Sequence, residues 1–173
     1  NAISEALSGQ NILVLAAREE NYKSVGAAAG LAYGHKVGAE SSVDINLAKQ
    51  LNVLLTQLNL PGESIVMNLG SAAAGYGFEY IASTMDRVLA AALGQDDGML
   101  QMPIITPVGA EAWNVKESMA SEADMPEWGD LEQRGIEMEV VTAAACLASG
   151  AHAVILKHPC SVEKIAALIS ALQ

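Results

Sequence analysis

Residues 65–93 read IVMNLGSAAAGYGFEYIASTMDRVLAAAL, and the fold turns on how this stretch divides. A short apolar, β-branched run, Ile65 to Met67, stops at Asn68. The next residues carry almost no side chain (Gly70, Ser71, Ala72, Ala73, Ala74, Gly75, Gly77) apart from one aromatic, Tyr76. A helical pattern follows, with Ile81, Met85, Val88 and Ala92 at the i, i+4, i+7 spacing of a stripe that faces a core. Gly94 stands where a helix stop belongs. Strand, bare loop and helix make one βα unit. Backbone without side chains can lie close against a ligand, and ligands of α/β folds bind at the carboxyl ends of the strands, where this loop sits.

Working outward, the same alternation recurs. Residues 1–8 read as the end of a helix stopped by Gly9. Asn11–Ala16 is an apolar strand, Asn21–Tyr33 a small-residue helix stopped by Gly34, and Lys36–Ala39 a short strand. The next helix runs from about Val43 to Asn59, with Leu47, Leu51, Leu54 and Leu58 on one face and Ser42 or Asp44 as the cap. Pro61-Gly62 is a turn leading into Ile65. After Gly94, Gln101–Thr106 is a strand ending at Pro107, and a mixed segment to Gly129 holds a helical pattern over Glu111–Met119. Asp130-x-x-Gln133 resembles a capping box and opens a long helix to about Ser149, with Ile136, Val140, Ala144 and Leu147 inward. Ala153–Lys157 is the last strand and Ser161–Leu172 the last helix, its apolar side Ile165, Leu168, Ile169 and Leu172.

Five βα units behind a helix stub predict a parallel sheet covered on both faces. Residues 1–173 read as a single domain or a fragment of one, with no linker or repeat. An open doubly wound sheet and most of an eight-fold barrel both fit five units, although a barrel needs about 250 residues. The leading helix stub favours the barrel. The chain begins at Asn1, not Met, and so reads as a piece of something longer.

Bulk composition excludes several classes. With a net charge of −11 and only nine scattered Lys and Arg, the chain lacks the basic stripe that neutralises phosphates, so no nucleic acid is expected. Cys146 and Cys160 stand singly, which excludes a disulfide framework, disfavours a self-contained zinc or iron–sulfur site, and points to a reducing, intracellular compartment. The longest uncharged stretch, Val140–Leu156, is interrupted by Ser149, Gly150 and His152, so no membrane span is expected, and no signal peptide is legible.

Candidate site residues each carry a plain structural alternative. Gly70–Gly77 is neither a P-loop nor a dinucleotide fingerprint; it reads as a tight turn or as a ligand cradle presenting Tyr76. Thr106-Pro107-Val108-Gly109 leaves the next strand and reads the same two ways. Trp113 reads as buried under its loop, Trp128 as a plug anchoring the long loop, and Ser41, Asp44 and Asn46 as helix caps or polar site residues. His158 reads as structural or as a proton donor; His35 and His152 carry no expected chemistry. Glu137 and Glu139 lie on different helix faces and read as solvated, Cys146 as a buried small hydrophobe, and the Met residues as core filler. No nucleophile set, carboxylate pair or metal-spaced cluster is present, which points to a scaffold for a cofactor whose own reactivity does the work.

Four runs carry a resemblance over nearly the whole chain: AESSVDINLAKQLN (39–52), GYGFEYIASTMDRVLAAAL (75–93), LQMPIITPVGAEAWNVKE (100–117) and PEWGDLEQRGIEMEVVTAAACLASGAHAVILKHP (126–159). They resemble the delta (small) subunit of the corrinoid/iron–sulfur protein of the CO dehydrogenase/acetyl-CoA synthase system, with GYG-x-EY and PEWGD-x-x-x-RG the most specific. The resemblance implies a (βα)8 TIM barrel of which this chain is the last five units, in the cytoplasm. It also implies a corrinoid (cobamide) shared with a large subunit that carries the iron–sulfur cluster. The cobalt would take a methyl group from a methyl-pterin or methyl-folate methyltransferase and pass it to acetyl-CoA synthase.

A cobalt supernucleophile needs a dry enclosure, which places Ser71, Ala73, Gly75, Tyr76, Thr106 and Gly109 near the corrinoid. The chain departs from the family's usual residues at Ser42 (Pro), Asn68–Gly70 (an Asp-Pro-Thr-like run), Leu89 (Arg) and Met138 (Trp). Whether the chain is itself an enzyme stays open. A stand-alone pterin-dependent methyltransferase using Asp44, Asn46 or Glu111 is the alternative, and an open-sheet nucleotide or flavin binder a third.

Overall fold

The computed structural model describes residues 2–173. Five strands hydrogen-bond in chain order: β1 (Leu13–Ala17), β2 (Lys36–Glu40), β3 (Ile65–Asn68), β4 (Ile104–Thr106) and β5 (Ala153–Val154). The registers Val37↔Ile65 and Met67↔Ile104 are parallel. The helices are α1 (Ala2–Ala6), α2 (Tyr22–Val25, continued by a π turn over Gly26–Ala32), α3 (Ile45–Gln57), α4 (Phe78–Leu89), α5 (Val108–Ala112), α6 (Lys116–Met119), α7 (Leu131–Ala148) and α8 (Pro159–Leu172). The expected α/β alternation and parallel strands are present. No described helix is long and apolar enough to cross a membrane.

The chain divides into two compact units. One comprises residues 1–70 and 84–105, the other residues 71–83 and 106–173. In the first, β1 to β4 carry a core of Val37, Ala39, Ile65, Met67 and Ile104, each at most 1% exposed. Gly38 lets β1 and β2 close up, since a Cβ there would lie 2.7 Å from Leu15 Cδ2. Helix α3 begins where Asp44 Oδ1 accepts from the N–H groups of Asn46 (2.8 Å) and Leu47 (3.1 Å). Ser42, the other candidate cap, sits at φ 46° and caps nothing. Asp44→Ala should therefore cost about 1 kcal/mol of stability, measurable as a lower urea midpoint at unchanged slope.

The inward face of α3 is Ala48, Leu51, Asn52 and Leu55, not Leu47, Leu51, Leu54 and Leu58. Asn52 is what rotates the stripe: its amide donates to Met99 O at 2.7 Å, so a polar residue occupies a core position. The Ile81, Met85, Val88 and Ala92 face of α4 is buried as expected. His35, given no chemistry in the sequence, is buried, and its Nε2 donates to the carbonyl of Ser4, tying α1 to the start of β2.

In the second unit β5 meets the end of β4 through Ile155 N–H donating to Thr106 O at 2.9 Å. The strand is shorter than the expected Ala153–Lys157. Its last N–H groups are diverted: Lys157 and His158 donate to the Glu139 carboxylate. The Glu111–Met119 pattern resolves into α5 and α6, separated at Trp113–Val115. Helix α7 starts on Asp130, whose Oδ1 accepts from Gln133 N–H at 2.7 Å; the Gln133 side chain donates to Glu137, so only half of the capping box forms. The buried face of α7 is Gly135, Ile136, Glu139, Thr142, Ala143 and Cys146, one step round from the expected Ile136, Val140, Ala144 and Leu147. On α8 only Ser161 and Ile165 are buried; Val162, Leu168, Ile169 and Leu172 face outward.

Candidate functional site

The loops that leave β3 and β4 depart from the same end of the sheet, because those strands are parallel and end in register at Asn68↔Ile105. Four of the six sequence candidates, Ser71, Ala73, Gly75 and Tyr76, lie on a turn of small residues in the second unit. The turn is pinned at three points: Ala73 is buried, Ala74 N–H donates to Thr142 Oγ1 at 3.0 Å, and Tyr76 N–H donates to Ala73 O at 2.9 Å. Gly75 (φ 83°) and Gly77 (φ 87°) take up the left-handed backbone on either side of Tyr76, a conformation that L side chains resist. Ser71 Oγ is buried and makes no hydrogen bond.

Tyr76 is 47% exposed, and its hydroxyl donates to Glu117 Oε2 at 2.7 Å. That bond holds the Glu117 carboxyl below its usual range and raises the Tyr76 phenol. Beside the pair opens a cavity of about 560 Å3 lined by Ala74, Glu117, Trp128, Arg134, Glu137, Met138 and Val141, within the span of small-molecule sites. Arg134 braces it from within, its Nη1 and Nη2 donating to the carbonyls of Glu117 and Ala120, both at 2.8 Å. Trp128 carries Lys116 Nζ 5.2 Å and the Arg134 guanidinium 5.7 Å from its ring centroid, contacts that fix its orientation. The plug expected of Trp128 is therefore also a wall.

Thr106 and Gly109 are built differently. Thr106 is fully buried next to Cys146, whose thiol is pushed up to about 11 by burial while the Thr106 hydroxyl pulls the other way. Gly109 N–H donates to Ile155 O at 2.9 Å, and a Cβ at Gly109 would lie 2.8 Å from both Glu139 Oε1 and Lys157 N. Neither residue lines the cavity beside Tyr76. Gly109 instead lines a second hollow with Ala110, Asn114, Ile155, Leu156 and Lys157. Of the acids considered for proton transfer, Asp44 is engaged as a helix cap.

One expectation is overturned. Glu139, read as solvated, is fully buried. Burial raises its pKa, but the Ser161 hydroxyl, the Lys157 N–H, the Trp113 indole N–H and the His158 N–H outweigh it, so the carboxyl stays below its usual value. Around this node Trp113 stacks on His158 at 5.8 Å between centroids, and His158 Nε2 meets Glu132 Oε1 at 3.0 Å. His158 Nδ1 accepts from Cys160 N–H, capping α8, which agrees with a structural role for this residue.

Two signals for the missed residues lie in the sequence to different degrees. Arg134, Glu137, Met138 and Val141 follow i, i+3, i+4, i+7 and so share a face of α7. Glu117, 41 residues from Tyr76, has no local mark. Among the described residues no group of three or more His, Cys, Asp or Glu could hold a metal ion.

A family model described as CO dehydrogenase/acetyl-CoA synthase delta subunit matches residues 1–158. The acetyl-CoA decarbonylase/synthase complex subunit delta 2 of Methanosarcina acetivorans is 33% identical over 92% of this chain and 37% of its own length. The subunit delta of Archaeoglobus fulgidus is 30% identical over 98% of this chain and 38% of its own length, and that of Methanothermobacter thermautotrophicus is 34% identical over 92% and 40%. The chain thus spans well under half the length of these curated relatives.

Proposed function

We propose, on the premise that this chain belongs to the CO dehydrogenase/acetyl-CoA synthase delta subunit family, that it is a corrinoid-holding part of the acetyl-CoA decarbonylase/synthase complex. It pairs with a large subunit that carries the iron–sulfur cluster, in the cytoplasm, and helps carry a methyl group from a methyl-pterin or methyl-folate methyltransferase to acetyl-CoA synthase. Its five parallel strands are the last five of an eight-stranded (βα) barrel.

The observation that carries the reading is the turn Ser71–Gly77 and the cavity beside it. A corrinoid offers a broad apolar face and a rim of polar amides. The turn answers the face with backbone: a Cβ at Gly75 would meet nothing within 4 Å, so the approach there is open. It answers the rim with Ser71 Oγ, buried and without a partner, and with the Tyr76–Glu117 pair. Ser71, Ala73, Gly75 and Tyr76 would hold the group, while Thr106, beside Cys146, and Gly109, against Glu139 and Lys157, lie outside the cavity beside Tyr76. A bound cobamide would supply the cobalt that accepts and donates the methyl group. The residues of this chain bind its edge and keep water from that side, which strengthens every polar contact made there.

The test mixes the chain with its large subunit and a cobamide, removes free cobamide, and records the visible spectrum before and after a methyl-tetrahydropterin and its methyltransferase are added. The expected result is retained corrinoid whose bands change on methylation. Corrinoid retained equally by the large subunit with or without this chain would overturn the proposal.

A further inference from the structure

We infer that the cavity beside Tyr76 is a subsite for a neutral carboxamide on a short apolar stem, with Glu117 as its acceptor and the Tyr76 hydroxyl as the donor it displaces from that oxygen. The inference rests on the corrinoid reading, because the rim of a corrinoid carries such arms. At about 560 Å3 the cavity is too small for a macrocycle with its substituents and takes only a projecting part.

Its walls state the chemistry of the occupant. Ala74, Trp128, Met138 and Val141 accept an apolar stem. The nearby cations are partly engaged: Arg134 Nη1 and Nη2 donate to main-chain carbonyls and Lys116 Nζ lies over the Trp128 ring, which leaves the buried Arg134 Nε–H as an unpaired donor at the lining. Glu117 and Glu137 add carboxylate oxygen. Carboxylate oxygens beside an unpaired N–H in a mostly apolar hollow suit a neutral group that both donates and accepts, as a carboxamide does.

Tyr76 makes the site exchangeable. Its hydroxyl already donates to Glu117 Oε2 from a half-exposed position, so an incoming N–H competes for that oxygen. Side-chain rotation can take the hydroxyl off Glu117 while the Tyr76 N–H stays on Ala73 O. Removing each partner of this pair therefore has opposite consequences. Loss of the acceptor weakens binding, whereas loss of the competing hydroxyl tightens it.

The experiment uses the full chain with its large subunit and two probes: dicyanocobinamide, whose rim is carboxamide, and cobyrinic acid, whose rim is carboxylate. Kd is read from the absorbance change on binding. The wild-type complex should prefer the amide rim by at least tenfold. Glu117→Ala should weaken cobinamide about tenfold, the worth of a hydrogen bond to a charged acceptor, and shrink the preference by the same factor. Tyr76→Phe should tighten cobinamide about threefold. Circular dichroism melts of both variants report whether they fold, and Glu117→Gln, which keeps an acceptor oxygen, should weaken cobinamide less than Glu117→Ala. If cobinamide binds and the variants leave its Kd and the amide preference within twofold of wild type, or shift Kd in the same direction, the subsite is wrong while the corrinoid reading stands. If neither probe binds beyond what the large subunit binds alone, both fall.

Discussion

Replacing Glu139 with alanine should lower the unfolding free energy by about 3 kcal/mol, because the buried carboxylate is the acceptor for two main-chain N–H groups at once. The N–H groups of Lys157 and His158 end on its two oxygens, and the Ser161 hydroxyl and Trp113 indole N–H face it. Alanine would leave the Lys157 and His158 N–H groups without that partner. Glu139→Gln should recover little, since its amide turns a donor toward a donor. Urea titration should show a lower midpoint for both variants at an unchanged slope.

The same residue sets a pH dependence with a definite sign. Its carboxyl titrates below the usual value in the folded unit, burial notwithstanding. The unfolded chain therefore binds the proton more readily than the folded one. The contribution of Glu139 is complete above the unfolded value of about 4.3 and fades as pH falls through the lower folded value. Wild-type stability should decline over that acid window, and Glu139→Gln should decline less steeply. Parallel slopes would show that the carboxylate is not the titrating group.

Gly135→Ala should cost about 3 kcal/mol, at the upper end of what one added methyl does to a packed interior. A Cβ there would lie 2.3 Å from Trp113 Cζ3, 2.5 Å from Cη2 and 2.8 Å from Cε3. The ring cannot retreat freely, because His158 stacks on it and Lys157 Nζ sits 5.4 Å from its centroid. Pairing Gly135→Ala with Trp113→Leu should return part of the loss, giving a coupling of more than 1 kcal/mol in a double-mutant cycle. Additive losses would mean the two residues do not meet.

What could be read in the sequence was what repeats locally. The α4 stripe of Ile81, Met85, Val88 and Ala92 and the cap at Asp44 depend on neighbours within a few residues, and both are where the pattern puts them. Helices α3 and α7 turned by one step, because Asn52 and Glu139 occupy inward positions that a hydrophobic count assigns to leucine or valine. Those polar side chains are satisfied only by groups far along the chain, Met99 for the first and Lys157 for the second. The candidate site divides the same way. The bareness of Ser71–Gly77 was visible at once, and Arg134 shared a helix face with Glu137, Met138 and Val141, while the Glu117 that receives Tyr76 was marked by nothing nearby.

The diversion of the last β5 amides onto Glu139 also bears on the order in which this half of the chain assembles. The carboxylate belongs to a helix that precedes its partners in the chain, Lys157 lying 18 residues after Glu139. Until they arrive the carboxylate stays hydrated, and burying the face of α7 that carries it would cost the desolvation of an unpaired charge. Strand, helix start and carboxylate must then dehydrate together, so the C-terminal region should order in one late, cooperative step and not as successive hairpin-like additions.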